Sequence, residues 1–176
     1  CRKCGVTLDA RVGENAYYQT LAKAFSATKG DTVTLLRDVT LNANCSAASS
    51  YDTTLNLNSK SISGAGYRVT VGVGNNAGTL TIKNSDANSG AQALNAKFLV
   101  SSNGKLAVDS SYTGDIACVE LQAGGALERL GGKIGELILG KAASSVTSTD
   151  YKVTLWNGNT SYCTIGKVTD STSAQS

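Results

Sequence analysis

The stretch Thr53–Ser85, TTLNLNSKSISGAGYRVTVGVGNNAGTLTIKNS, decides the fold. It holds four short runs, Thr53–Asn58, Lys60–Ser63, Tyr67–Val73 and Thr79–Lys83, in which apolar and polar residues alternate. Leu55 and Leu57, then Val69, Val71 and Val73, then Leu80 and Ile82 fall at every second position. A period of two marks a strand with one buried face. Asn-Ser, Gly-Ala-Gly and Gly-Asn-Asn-Ala-Gly separate the runs, and each is turn chemistry.

Downstream the unit recurs. Gly78-Thr79-Leu80, Gly104-Lys105-Leu106 and Gly125-Ala126-Leu127 each sit between two alternating runs, their leucines 26 and 21 residues apart. Leu55 and Leu35 extend the series backwards by 25 and 20 residues. Self-similarity at this interval predicts a solenoid, in which each coil covers the apolar row of the last. A β-sandwich would instead show hairpins with two-residue turns and closer strand spacing. The expected fold is therefore all-β: a right-handed parallel β-helix with a short N-terminal capping α-helix.

That helix is expected over residues 16–29, because Tyr18, Leu21, Ala22 and Phe25 form one apolar face. Asn15 or Thr20 would serve as N-cap, and Gly30 as the C-terminal glycine. So narrow a face cannot make a core alone and should lie across the end of the strand stack. Residues 42–52 read as a loop, and Ile134–Leu139 as a further strand. Val153 and Leu155, then Cys163, Ile165 and Val168, would form two last strands. The domain reading is a Cys-containing linker at 1–14, a β-helix domain at 15–170 and a polar tail at 171–176.

The chain has 176 residues, enough to bury roughly 70% of the surface its unfolded chain exposes. Only 16% of residues are charged, and 19 glycines accompany abundant Ser, Thr and Asn, a balance that suits an extracellular protein. The absence of methionine implies a chain that starts inside a longer product or after processing. Net charge is +3 with no basic cluster beyond Arg2-Lys3, which argues against nucleic-acid binding. No apolar run approaches the ~18 residues of a membrane span, so no membrane insertion is expected.

Five cysteines allow two disulfides and a free thiol, or none. Cys1-x-x-Cys4-Gly5 is half of a zinc knuckle, but no histidine and no second knuckle complete it. It reads as a boundary scrap, a disulfide to Cys45, or a metal site shared with residues upstream.

The run YYQTLAKAFSATKGDTVTLLRDVTL, then TLNLNSKSISG, then GTLTIKNS, resembles a module of large Gram-positive surface proteins. Tyr18, Thr20, Leu21, Ala24, Gly30-Asp31-Thr32-Val33, Leu35, Leu36, Asp38 and Val39 carry the first part. Leu55, Leu57, Asn58, Lys60, Ile62-Ser63-Gly64, Leu80-Thr81-Ile82 and Ser85 carry the rest. Asn56 and Ser59 depart from the Asp and Gly usual in that module. The resemblance implies a β-helix displayed on the bacterial cell surface.

Chemistry is hard to assemble from this chain. Without histidine no Ser-His-Asp or Cys-His site can form. The acids are scattered, with no D-x-D or Asp-Asp cluster for a glycosidase pair or a calcium-dependent lyase. Asp86 and Asp109, each after a strand, read as solvated turn acids. Gly72-Val73-Gly74 precedes no helix and is no phosphate loop. Cys118 alternates in phase with Glu120, so the facing of that strand is open. The lone Trp156 reads as a packing residue. No catalytic residue, metal or cofactor is assigned.

What remains is a polar face with tyrosines in loops or at coil edges: Tyr51, Tyr67, Tyr112, Tyr151 and Tyr162. Exposed tyrosines with adaptable polar neighbours make good contact residues. The expected function is a non-catalytic binding module, a monomer contacting host extracellular protein or glycan. A structural stalk and a β-helix carbohydrate-active enzyme are the alternatives.

Overall fold

The computed structural model describes residues 5–73, 78–85, 92–122, 124–129, 131–139, 152–154 and 165–170. It is a parallel β-solenoid built from two sheets, with one short helix at its N-terminal end. The expected fold is therefore what the chain adopts.

The first sheet stacks β3 (Thr32–Leu35), β6 (Thr53–Asn56), β8 (Gly78–Lys83), β10 (Gly104–Val108), β12 (Ala126–Arg129) and β14 (Lys152–Thr154), all parallel. At its head, β1 (Ala10–Val12) pairs antiparallel with β3, and β2 (Ala16–Tyr18) pairs antiparallel with β1. The second sheet stacks β4 (Val39–Thr40), β7 (Ile62–Val71), β9 (Ala93–Val100), β11 (Asp115–Leu121), β13 (Lys133–Leu139) and β15 (Ile165–Asp170). A further strand, β5 (Cys45–Ala47), pairs with the second half of β7.

Alternation places like on like. Val33, Leu55, Ile82 and Val108 form one inward row of the first sheet, and Leu80, Leu106 and Leu127 another. In the second sheet the rows are Val39, Ile62, Leu94, Ile116 and Ile134, then Cys45, Val69, Phe98, Val119 and Leu137. All of these side chains are buried in one continuous core. Each parallel neighbour also satisfies the backbone groups of the last. Arg129 occupies the rung after Val108 and is buried, which holds its guanidinium below the usual arginine range. Leu55 stacks on Ile82, whereas the leucine series placed it on Leu80. The slip is two residues, so the inward phase survives it.

The repeated glycine has a steric cause. Gly78 and Gly104 are in register where the chain turns into the first sheet. A β-carbon on Gly78 would press into the carbonyl oxygen of Ala48, and one on Gly104 into that of Val71. On Gly125 it would lie 2.9 Å from the Gln122 carbonyl oxygen and 3.0 Å from that of Val100. The coils thus approach closely enough at this corner that no side chain fits.

The opposite corner is held by side-chain amides. Asn58 Nδ2 donates to the Leu35 carbonyl (3.1 Å), the Ser59 amide donates to Asn84 Oδ1 (2.9 Å), and the Asn84 amide donates to Ser111 Oγ (3.1 Å). Asn58 and Ser59 both have positive φ, at 48° and 64°, and the Lys60 amide closes the turn on the Leu57 carbonyl at 2.9 Å. Two left-handed central residues define a type I′ turn, which favours glycine at the second. Ser59 occupies that second position here.

Four expectations of secondary structure need correction. Residues 42–52, read as a loop, contain the strand β5, which pairs with β7. The helix α1 spans Leu21–Ala27, shorter than 16–29, because Ala16–Tyr18 is drawn into the antiparallel pair with β1. Thr20 is the N-cap, accepting from the Lys23 amide, and the exit is through Thr28 rather than Gly30. Leu21, Ala24 and Phe25 are the buried face. Residues 10–12, read as linker, belong to the first sheet, with Ala10 and Val12 in the core. Gly64-Ala65-Gly66, read as a turn, lies inside β7, whose register with β9 shifts between Ser63 and Arg68. Such a bulge bends a strand, and here it pushes residues 65–68 into solvent.

Cys45 is a core residue in β5, heading the second inward row of the second sheet, and a free thiol, not half of a disulfide. Cys1 and Cys4, with Cys163, lie outside the described residues. Burial pushes the Cys45 thiol up to about 11. The folded state thus favours the neutral thiol over an unfolded chain that ionises near about 8.5. Its contribution to stability is complete below that value and is lost as pH rises through about 11. Urea midpoints taken from neutral to alkaline pH should fall less steeply for Cys45→Ala than for the unaltered chain. Parallel slopes would contradict this.

Candidate functional site

The tyrosines do not form one face. Tyr112 is fully buried, which removes it from the contact residues. It fills the corner beneath Gly132, and its hydroxyl lies 2.8 Å from the Asp115 carbonyl and 3.0 Å from that of Gln92. Burial pushes its phenol well above the usual range. Apolar alternation could not reveal this, because a corner residue belongs to neither strand. Tyr67 is exposed on the bulge of β7, and Tyr51 is 51% exposed in the connection from β5 to β6. These are different corners of the cross-section. Tyr151 and Tyr162 lie outside the described residues, as do Trp156 and Asp86. Tyr17 on β2 is a further exposed tyrosine that the loop-based reading missed.

Tyr51 stands at a cleft of about 290 Å³ between the helix and the first coils. The C-terminal end of α1 contributes Phe25, Ser26 and Thr28. The Ser46–Tyr51 segment and Thr53 supply the other wall. The helix is there because its apolar face needs cover, and Phe25 packs into the core at the foot of the cleft. None of the lining side chains carries a charge at neutral pH.

The wall carrying Tyr51 is fixed by its backbone. Ala48 has φ of 53°, a left-handed conformation costly for a residue with a β-carbon. It is buried, and its carbonyl rests on Gly78 of the next coil. Asp52 Oδ1 accepts the Thr79 amide at 2.7 Å, and Thr53 Oγ1 donates to the Tyr51 carbonyl at 3.3 Å. A loop held at both ends in this way presents its side chains with little backbone ordering cost on contact.

The hydroxyls are oriented as well. Ser26 Oγ donates to the Ala22 carbonyl and Thr28 Oγ1 to that of Asp31, both at 3.0 Å. A carbonyl can only accept, so these hydroxyl protons are committed within the protein. Ser26, exposed at the end of the helix, therefore offers its oxygen as an acceptor, whereas Thr28 and Thr53 are buried and their bonds hold the walls. The signal in the sequence is the hydroxyl-dense SAASSYDTT around Tyr51, whose part up to Asp52 carries no apolar alternation and reads as loop.

A second cleft of about 270 Å³ lies at the other end of the helix, by Thr20, Arg37 and Thr40. Its charges are matched: Arg37 Nε donates to Asp9 Oδ1 at 3.0 Å. On the second sheet Val119 and Leu121 face inward, which settles the facing of β11 and leaves Cys118 half-buried on the outer side. Burial raises the Cys118 thiol, the reverse of what a reactive thiolate needs. Next to it Lys97 Nζ donates to Glu120 Oε2 at 2.9 Å, and that hydrogen bond raises the Lys97 ammonium. Lys105 pairs with Glu128 on the first sheet. Among the described residues no group of three or more His, Cys, Asp or Glu side chains could hold a metal, and no helix is long and apolar enough to cross a membrane.

No family model, no curated protein and no solved structure matches this chain.

Proposed function

We propose that this chain is a non-catalytic binding module, displayed on a bacterial cell surface, that contacts host extracellular protein or glycan. The observation that carries this reading is Tyr51, more than half exposed above a cleft whose wall is locked by the Ala48–Gly78 packing. An exposed tyrosine offers wide contact area at small entropic cost, and the surrounding serines supply adaptable hydrogen bonds. The motif-level resemblance to Gram-positive surface modules supports display outside the cell. On this reading the chain acts as a monomer, with no cofactor and no nucleic-acid partner.

The test is an array of immobilised extracellular host proteins and glycans, probed with the chain and with Tyr51→Ala. Binding to at least one surface, weakened by about tenfold in the variant as expected for an aromatic anchor, supports the module reading. Blank arrays at low and high salt would replace it with a stalk that only spaces other domains.

A further inference from the structure

Taking the binding-module reading as its premise, we infer that the Tyr51 cleft takes an uncharged sugar. The choice of ligand follows from what lines the site. An anionic ligand, whether sialylated, sulfated or phosphorylated, needs a cationic or multi-donor partner. The lining offers no Lys or Arg to balance an anion's charge; Ser26 has already given its proton to a carbonyl, Thr28 and Thr53 are buried, and the neutral serine hydroxyls that remain carry no charge. A cationic ligand needs a carboxylate or an aromatic cage. The only lining aromatics are Phe25, which is buried, and Tyr51, so no cage closes.

A pyranose fits the same inventory. Its hydroxyls can donate to the fixed acceptor oxygen of Ser26, while Ser46 and Ser49 across the cleft are able to give or take. Its ring has one face of C–H bonds, weakly positive, which suits the negative face of an aromatic ring. Tyr51 is the exposed ring at the cleft, and its carbonyl is tied to Thr53 Oγ1. The volume sets the length. About 290 Å³ is at the bottom of the ~300–1,000 Å³ range of small-molecule pockets, room for one or two sugar rings.

Contact of this kind is shallow and neutral, which gives it a signature that a charged or protein ligand lacks. Affinity is insensitive to salt, because no ion pair forms and none is screened. The phenol hydroxyl of Tyr51 is dispensable and its ring is not.

The experiment screens the chain on an array of uncharged and anionic oligosaccharides, then measures hits by saturation-transfer NMR at low and high salt. The expected result is transfer to ring C–H protons of uncharged sugars at both salts. Tyr51→Phe should retain it, Tyr51→Ala should weaken binding by about tenfold or more, and Tyr67→Ala at the other corner should leave it unchanged. Equal thermal midpoints would show that the variants fold, as expected for exposed side chains. Binding only to anionic glycans, or binding that Tyr51→Ala leaves intact, overturns the inference. Protein ligands captured on the host array with no uncharged sugar bound would overturn it while leaving the module reading standing. Blank results on both arrays would overturn both.

Discussion

Tyr112→Ala should lower stability by about 3–5 kcal/mol, the range for truncating a large buried aromatic. For a chain of this length each kcal/mol moves the thermal midpoint by roughly 2–4 °C, so a shift of about 10 °C is expected. The size of the effect comes from where Tyr112 sits. Its ring is fully buried, and Gly132 comes so close that a β-carbon there would be 2.6 Å from Cδ1. Gly114 likewise leaves no room, since its β-carbon would be 2.8 Å from the hydroxyl. The backbone is thus built around the ring and cannot collapse into the space it leaves. Its hydroxyl also meets the Asp115 and Gln92 carbonyls, tying the start of β11 to the coil before it. Tyr112→Phe keeps the ring and should cost only about 1 kcal/mol, the net worth of one hydrogen bond. Chemical denaturation of both variants checks the ratio. Equal costs would mean that the hydroxyl, not the ring, holds the corner.

The second large effect is at Gly78, and it should appear in binding as well as stability. A β-carbon there would press into the Ala48 carbonyl oxygen and sit 2.8 Å from its carbon. These are backbone atoms of a buried residue already in a left-handed conformation, so no rotamer change relieves the contact. Gly78→Ala should therefore cost about 1–3 kcal/mol or more through overpacking. The strain should be relieved by lifting the Ala48 segment away from the next coil, carrying Ser49, Ser50 and Tyr51 with it. Ligand capture at the Tyr51 cleft should fall by about tenfold or more even where circular dichroism shows the solenoid intact, because small misplacements of contact groups are expensive. Ala48→Gly is the complement. It removes the left-handed cost and should stabilise the chain by up to about 1 kcal/mol. A Gly78→Ala variant with unchanged midpoint and unchanged binding would show that the Ala48 segment is not held by this packing.

These two positions also mark how much the sequence could say. The inward rows were legible because alternation is a strand's own property. Val69, Phe98 and Val119 announce their facing without reference to anything distant. The recurring Gly-x-Leu was legible as a repeat, though its cause, a carbonyl from the previous coil, belongs to the stacked structure. Two kinds of feature were not legible. Tyr112 is buried by contacts between successive corners, so its surroundings looked like an exposed loop. The helix lost its first turn because Ala16–Tyr18 found a partner in β1, and a long-range pairing of that kind outweighs local helical spacing. The candidate site fell between these cases. Tyr51 is legible as a contact residue, but the Ser26 acceptor oxygen beside it depends on the helix end lying against the β5–β6 connection.

The antiparallel pair β1–β2 at the head of the first sheet has a consequence for assembly. A stack made only of parallel coils would present, at its first rung, the same template it uses internally, and a second molecule could seed onto it as a further coil. The reversed strands interrupt that register, and the outermost, β2, is only three residues long. An arriving parallel coil would find too few backbone partners there to hold it. Edge-to-edge growth along the first sheet is thereby disfavoured at its β2 edge by backbone geometry, independently of any charge.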